Sequence, residues 1–163
     1  MSHVLVVYYS YSNGNTEKIA MKLADALKAD ICGINPIEAY SDDYETVVSL
    51  GKQEVEEKVL RPIQKIPYNL KNYDVIAIGT PTWWYTMAPC VKTFITENDF
   101  CGKKVIPFMT NGGWPGTVIQ DMKDCLKGAE IIYTMEIQFD SDGGSTLVTT
   151  CEDVNNWINS IKL

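Results

Sequence analysis

Val4-Leu5-Val6-Val7-Tyr8-Tyr9-Ser10-Tyr11-Ser12-Asn13-Gly14-Asn15-Thr16 passes from an apolar run to a polar one. Its first six residues are branched, aliphatic or aromatic with no polar break, the mark of a strand buried on both faces. The remainder is polar or glycine apart from Tyr11. Past Thr16, apolar residues recur at Ile19, Ala20, Leu23, Ala26 and Leu27, the spacing of one helix face. A buried strand, a polar loop and an amphipathic helix therefore follow one another without a gap.

The loop has its own chemistry. Ser10, Ser12 and Thr16 offer hydroxyls, Asn13 and Asn15 offer amides, and Gly14 is flexible. Thr16 begins the helix, where unpaired backbone N–H groups and the positive dipole end favour an anion. Small polar residues also serve as ordinary helix caps, but this run is longer than a cap requires. It contains no lysine or arginine, so a phosphate here is held by neutral donors. Nucleotide-cleaving loops end in Gly-Lys-Ser/Thr, and dinucleotide sites carry G-x-G-x-x-G. Both are absent, and a monophosphate that is bound and not cleaved suits the loop better.

Working outward, a short second strand is expected over about Asp30 to Ile34, ended by Pro36. Residues 37 to 72 are acidic and carry Gly51, Pro62 and Pro67. There Tyr44, Val47, Val48, Val55, Val59 and Leu60 suggest one interrupted helix. Asp74 to Gly79 reads as a third strand, followed by the loop Thr80 to Pro89 and a helix from about Cys90 to Glu97. Lys104 to Met109 is a fourth strand. Its loop, Thr110 to Gly116, opens a helix with Val118, Ile119, Met122 and Leu126 on one face. A fifth strand over about Glu130 to Gln138 precedes a helix carrying Val154, Trp157, Ile158 and Ile161.

Five strands alternating with helices predict an α/β domain over residues 1–163, a five-stranded parallel sheet between two helical layers. The common order for five strands is 2-1-3-4-5, and ligands then bind beyond the carboxyl ends of the strands where the order reverses. In that order the loops after strands one, three and four are neighbours. Those are the three unusual loops of this sequence.

The second loop contains Pro81, Thr82, Trp83, Trp84 and Tyr85. Three consecutive aromatics cannot all point into one core, so at least one is expected to be exposed or to cover a planar ligand. The third, Thr110-Asn111-Gly112-Gly113-Trp114-Pro115-Gly116, pairs another tryptophan with glycines that let backbone approach a ligand edge. Aromatic packing and a tight turn are the plainer readings of each loop alone. Their convergence favours a ligand.

Bulk properties exclude other classes. The net charge of −7 argues against a nucleic-acid groove, which needs clustered lysine and arginine. It suits docking to a basic partner. Arg61 is the only arginine and His3 the only histidine, so multi-histidine metal sites are impossible. Five widely spaced cysteines form no C-x-x-C pair and read as reduced thiols of a cytosolic protein. The chain goes directly into a strand, with no signal-peptide pattern and no apolar run of membrane-spanning length. A cytoplasmic protein, monomeric rather than oligomeric, is expected. Cys90, beside Pro89 at a helix start, invites a lowered pKa, although a packed thiol is the commoner case. Asp140, Asp142 and Gly143-Gly144 read as an exposed loop.

These features together resemble the short-chain flavodoxin family over nearly the full length. The similarity rests on Val6-Val7-Tyr8-Tyr9-Ser10 with Gly14-Asn15-Thr16 and Ala20, and on Gly79-Thr80-Pro81-Thr82-Trp83-Trp84 with Pro89. Phe100-Cys101-Gly102-Lys103, Thr110-Asn111-Gly112-Gly113 and Trp157-Ile158 extend it. Flavodoxin with its FMN is itself a standard instance of the switch-point rule, so topology and resemblance are not independent arguments.

The resemblance implies a flavodoxin-like fold and noncovalent FMN. It implies that Ser10, Ser12, Asn13, Gly14, Asn15 and Thr16 hold the phosphate. Pro81, Thr82, Trp83, Trp84 and Tyr85 would line one side of the isoalloxazine, and Thr110, Asn111, Gly112 and Gly113 its polar edge. Two departures stand out. Asn13 is inserted between Ser12 and Gly14, and Trp114 is the only aromatic where other members stack a tyrosine on the ring.

The expected function is a low-potential single-electron carrier between redox enzymes, because an apolar slot on an acidic protein disfavours added negative charge. The alternative is an FMN-dependent NAD(P)H oxidoreductase acting on quinones. A receiver domain needs an acidic pair after strand one, where this chain has Tyr9-Ser10. A low-molecular-weight phosphatase needs an arginine six residues after a cysteine. Neither pattern is present.

Overall fold

A computed structural model describes every residue from Met1 to Leu163. In chain order the elements are β1 (Val4–Tyr8), α1 (Asn15–Leu27), β2 (Asp30–Gly33) and α2 (Tyr44–Glu56). Then come β3 (Val75–Trp83), β4 (Thr86–Met87), α3 (Pro89–Glu97), β5 (Lys104–Asn111) and α4 (Val118–Cys125). The last are β6 (Glu130–Ile131), β7 (Met135–Gln138) and α5 (Cys151–Ser160).

The strands run in the order β2-β1-β3-β5, all parallel, with β6 and β7 both on the outer edge of β5. Strict alternation along β1 sends Leu5 and Val7 into one core and Val4 and Val6 into the other. The first core packs against α2, α3 and α4, the second against α1 and α5. The fold is the expected three-layer, flavodoxin-like sandwich, with the predicted strand order.

The sheet has seven strands rather than five. The expected last strand is divided because Tyr133 takes a left-handed conformation, φ 49°. Its carbonyl accepts a 2.6 Å hydrogen bond from Trp157 Nε1 of α5, which draws the chain off β5 between β6 and β7. The other addition comes from β3, which does not end at Gly79. It continues to Trp83 and folds back as β4, pairing Thr82 with Met87 and Trp83 with Thr86.

Residues 37 to 72 also differ from expectation. The helix ends at Glu56, and Lys58 turns left-handed with φ 54°. Val59 and Leu60 lie beyond it, and the chain returns through an antiparallel bridge between Pro36 and Ile63. Gly51 sits inside α2. A β-carbon there would fall 1.9 Å from Trp83 Nε1, so only glycine lets the helix approach the indole.

Candidate functional site

At the carboxyl ends of β1, β3 and β5 the three loops come together. The first leaves β1 with Ser12 at φ 59° and Gly14 at φ 69°, the latter acting as N-cap of α1 with no side-chain cap. None of the backbone N–H groups from Ser10 to Thr16 donates to an acceptor in the protein. Uncapped donors on alternating left-handed backbone form an anion-binding concavity. Ser10 Oγ accepts from Glu17 N at 3.2 Å, and Tyr11 donates its hydroxyl to Ser41 O at 2.9 Å.

The side chains of this loop are partly engaged within the protein. Thr16 is buried, and its hydroxyl pairs with that of Thr110 at 2.8 Å, joining the first and third loops. Asn15 Nδ2 donates to Gly144 O at 3.0 Å, and Asn13 Nδ2 donates to Gly143 O. Asn15 Oδ1 stays buried without a donor.

The second loop is a hairpin whose turn residues, Trp84 (φ 50°) and Tyr85 (φ 66°), are both left-handed. Two-residue hairpins of this type normally use Asn-Gly, since bulky residues are strained there. What holds it is the third loop. Tyr85 O accepts from Thr117 N at 2.8 Å, and a β-carbon on Gly116 would come within 2.1 Å of the same oxygen.

The three aromatics diverge as the sequence implied. Trp83 is buried 5.1 to 6.0 Å (ring centroids) from Tyr9, Tyr11 and Tyr40. Its Nε1 has no acceptor. Trp84 is partly exposed, with Nε1 donating to Val48 O at 2.9 Å and Lys52 5.5 Å from its ring. Tyr85 and Trp114 are exposed.

These loops enclose a cleft of about 770 Å³, within the range of small-molecule sites. Of the predicted residues, Ser12, Asn13, Pro81, Thr82, Trp83, Trp84, Tyr85, Gly112 and Trp114 line it. Ser10, Gly14, Asn15, Thr16, Thr110, Asn111 and Gly113 are not among the residues lining it. Asn111 is engaged locally: its Oδ1 accepts from Gly113 N at 2.7 Å and its amide reaches Ile137 O at 3.3 Å.

Sequence reasoning missed two walls. One is α2, which presents Tyr44, Val47 and Val48; the other is the loop Ser141–Gly143. The Gly-Gly pair beside Asp140 was the only signal for the second, and nothing in the local pattern marked the first. No lysine, arginine or histidine lines the cleft, and Asp142 is its one carboxylate.

Behind the aromatic wall lies a buried polar group. Tyr40 donates to Glu54 Oε2 at 2.6 Å, Arg61 bonds Glu54 Oε1 at 2.5 Å, and its guanidinium lies 3.8 Å over the Tyr40 ring. Burial first, then the Glu54 bond, hold the Tyr40 phenol far above its ordinary pKa. The only arginine is thus committed away from the cleft. Cys90 is fully buried, and burial pushes its thiol up to about 12, the reverse of activation. No helix is long and apolar enough to cross a membrane.

The profile of the flavodoxin family matches residues 3–161. No curated protein matches the chain. Among solved structures, a candidate flavoprotein of Bacteroides uniformis is similar at 26% identity, with 98% of this chain and 99% of that one covered and a TM-score of 0.80. One from Bacteroides eggerthii is also 26% identical, covers 99% and 100%, and has a TM-score of 0.79. A Lactobacillus acidophilus flavoprotein solved in complex with FMN is 21% identical, covers 96% and 99%, and shares the fold with a TM-score of 0.72. With the profile spanning the whole sandwich and the three loops converging at its switch point, the chain belongs to the flavodoxin family.

Proposed function

We propose that this protein binds FMN noncovalently in the cleft and carries single electrons at low potential between larger redox proteins. The observation that carries this reading is the lining itself, which has no cation from Ser12 and Asn13 at one end to Trp84, Tyr85 and Trp114 at the other.

The residues fit the cofactor. The unpaired N–H groups of Ser10 to Thr16 solvate a phosphate dianion by dipoles, aided by the N-terminus of α1. Pro81 to Tyr85 form a wall for a planar ring, and Gly112 brings the backbone of the third loop to the cleft beside it. When bound, FMN supplies the redox chemistry, and the chain binds it, orients it and tunes it.

Tuning follows from charge. A negative charge placed on a ring against Trp83, Trp84 and Asp142 meets no cation among the residues that line the cleft. The net charge of −7 adds to this. Both lower the affinity of the bound ring for a further electron. Asp42, Asp43 and Glu45 adjoin Tyr44 at the cleft, so the fitting partner presents a basic docking surface. Arg61 is engaged with Glu54 and Glu38 O, which leaves no arginine for the 2′-phosphate of NADPH.

The test is spectroscopic. The purified protein should be yellow, release FMN on denaturation, and be reduced anaerobically in two resolved one-electron stages. A colourless protein that gains no flavin spectrum with added FMN overturns the reading. Rapid bleaching by NADH or NADPH alone replaces the carrier with an oxidoreductase.

A further inference from the structure

The loop from Asp140 to Thr146 belongs to none of the three loops that the fold brings to the cleft, yet it is built as a unit. Phe139 bridges to Leu147, and Asp140 N donates to Thr146 O at 2.8 Å, closing the loop at its base. The Asp140 carboxylate then accepts from Gly144 N and Thr146 N, both at 2.8 Å. A β-carbon on Gly144 would fall 2.6 Å from Asp140 Oδ2, so a side chain there would displace the carboxylate from this arrangement.

Two carbonyls of this loop point at the phosphate cradle. Gly143 O accepts from Asn13 and Gly144 O from Asn15. Asn13 is the residue by which the cradle is longer than the family pattern, and its amide is used to hold this loop. Ser141, Asp142 and Gly143 form the wall of the cleft next to Ser12 and Asn13.

We propose that Asp140–Thr146 is a fourth cofactor loop, a clasp pinned by Asn13 and Asn15 over the phosphate end, with Asp140 its positioning residue. The clasp fixes the cradle that solvates the terminal phosphate. It also walls off the path that a second phosphoryl group would take, where the Asp142 carboxylate opposes added negative charge. It therefore selects a terminal monoester over a nucleotide joined through a diphosphate. This rests on the FMN reading above.

The test compares FMN, riboflavin and FAD, titrated into the apoprotein by quenching of flavin fluorescence, for the wild type, Asp140→Ala, Asp140→Asn and Asn13→Ala. Losing the clasp weakens FMN about tenfold, the order expected for losing one or two hydrogen bonds. Riboflavin, which has no phosphate to hold, weakens less than about threefold on the same reasoning. The preference for FMN over FAD narrows in both alanine variants. Asp140→Asn keeps one acceptor oxygen and falls between the wild type and Asp140→Ala. Asn13→Ala changes only an exposed amide and reads the clasp if Asp140→Ala fails to fold. Equal loss of FMN and riboflavin, or no loss of either, overturns the clasp while leaving FMN binding intact. A wild type that binds no FMN overturns both readings, and that arm needs no variant.

Discussion

Gly51 of α2 lies directly against the indole of Trp83, with no room for a β-carbon between them. The contact brings a helix from the acidic segment 37–72 onto the aromatic hairpin, and Trp84 is held on the same helix through Val48 O.

Gly51→Ala should therefore destabilise the protein although alanine is the better helix former. The helix-propensity gain of about 1 kcal/mol is outweighed by overpacking of about 1–3 kcal/mol. Urea unfolding measures the net effect. The displaced indole should also change Trp fluorescence in the folded state, and an unchanged emission spectrum would mean that Trp83 was never confined.

Thr16→Val leaves the Thr110 hydroxyl buried without its partner. A loss of about 1–3 kcal/mol follows from an unsatisfied buried group. Thr16→Ser retains the hydroxyl and should recover most of it. If valine and serine behave alike by thermal unfolding, the hydroxyl pair contributes nothing.

Glu54→Ala removes the partner of a nearly buried Arg61, whose side chain is 12% exposed. An uncompensated buried charge costs about 3–5 kcal/mol. The double variant Glu54→Leu with Arg61→Met removes both charges and should be more stable than Glu54→Ala. Chemical denaturation of the two variants decides it.

Asp43 caps α2, and its carboxyl is held below the ordinary range by the Thr46 hydroxyl and then by Thr46 N. A folded-state pKa below the unfolded value stabilises the protein above about pH 4, the unfolded aspartate value. That contribution disappears as pH falls through the lower, folded-state value. The stability gap between the wild type and Asp43→Asn should thus be present at pH 6 and close as the pH falls toward 2.5. A gap that widens on acidification would contradict the assignment.

Cys90 should resist iodoacetamide in the folded protein, being fully buried with its thiol pushed up to about 12. Cys101 and Cys151 are exposed and should be alkylated first. Peptide mass spectrometry before and after unfolding reads the order of modification.

Much of the fold was legible in sequence because its signals are local. Buried parallel strands such as Val4–Tyr8 are continuous apolar runs, and α1, α4 and α5 carry helical spacing within one element. The misreadings have non-local causes. Trp157 of α5 divides the last strand by drawing Tyr133 away, and Thr117 and Gly116 stabilise the Trp84-Tyr85 turn that no turn propensity predicts. Gly51 lies in mid-helix because the Trp83 indole, distant in sequence, occupies the space of a side chain.

Residue types and their spacing were enough for the three-layer sandwich, the convergence of three loops and the absence of a cation in the first. These depend on residue type and period, which act within one element or between successive ones. Tertiary structure alone decided which side chains face the cleft. Asn13, Asn15 and Thr16 bond Gly143, Gly144 and Thr110, while α2 and the Ser141–Gly143 loop supply two further walls. A polar side chain satisfies whichever partner the fold brings near, and its partners here lie roughly a hundred residues away along the chain.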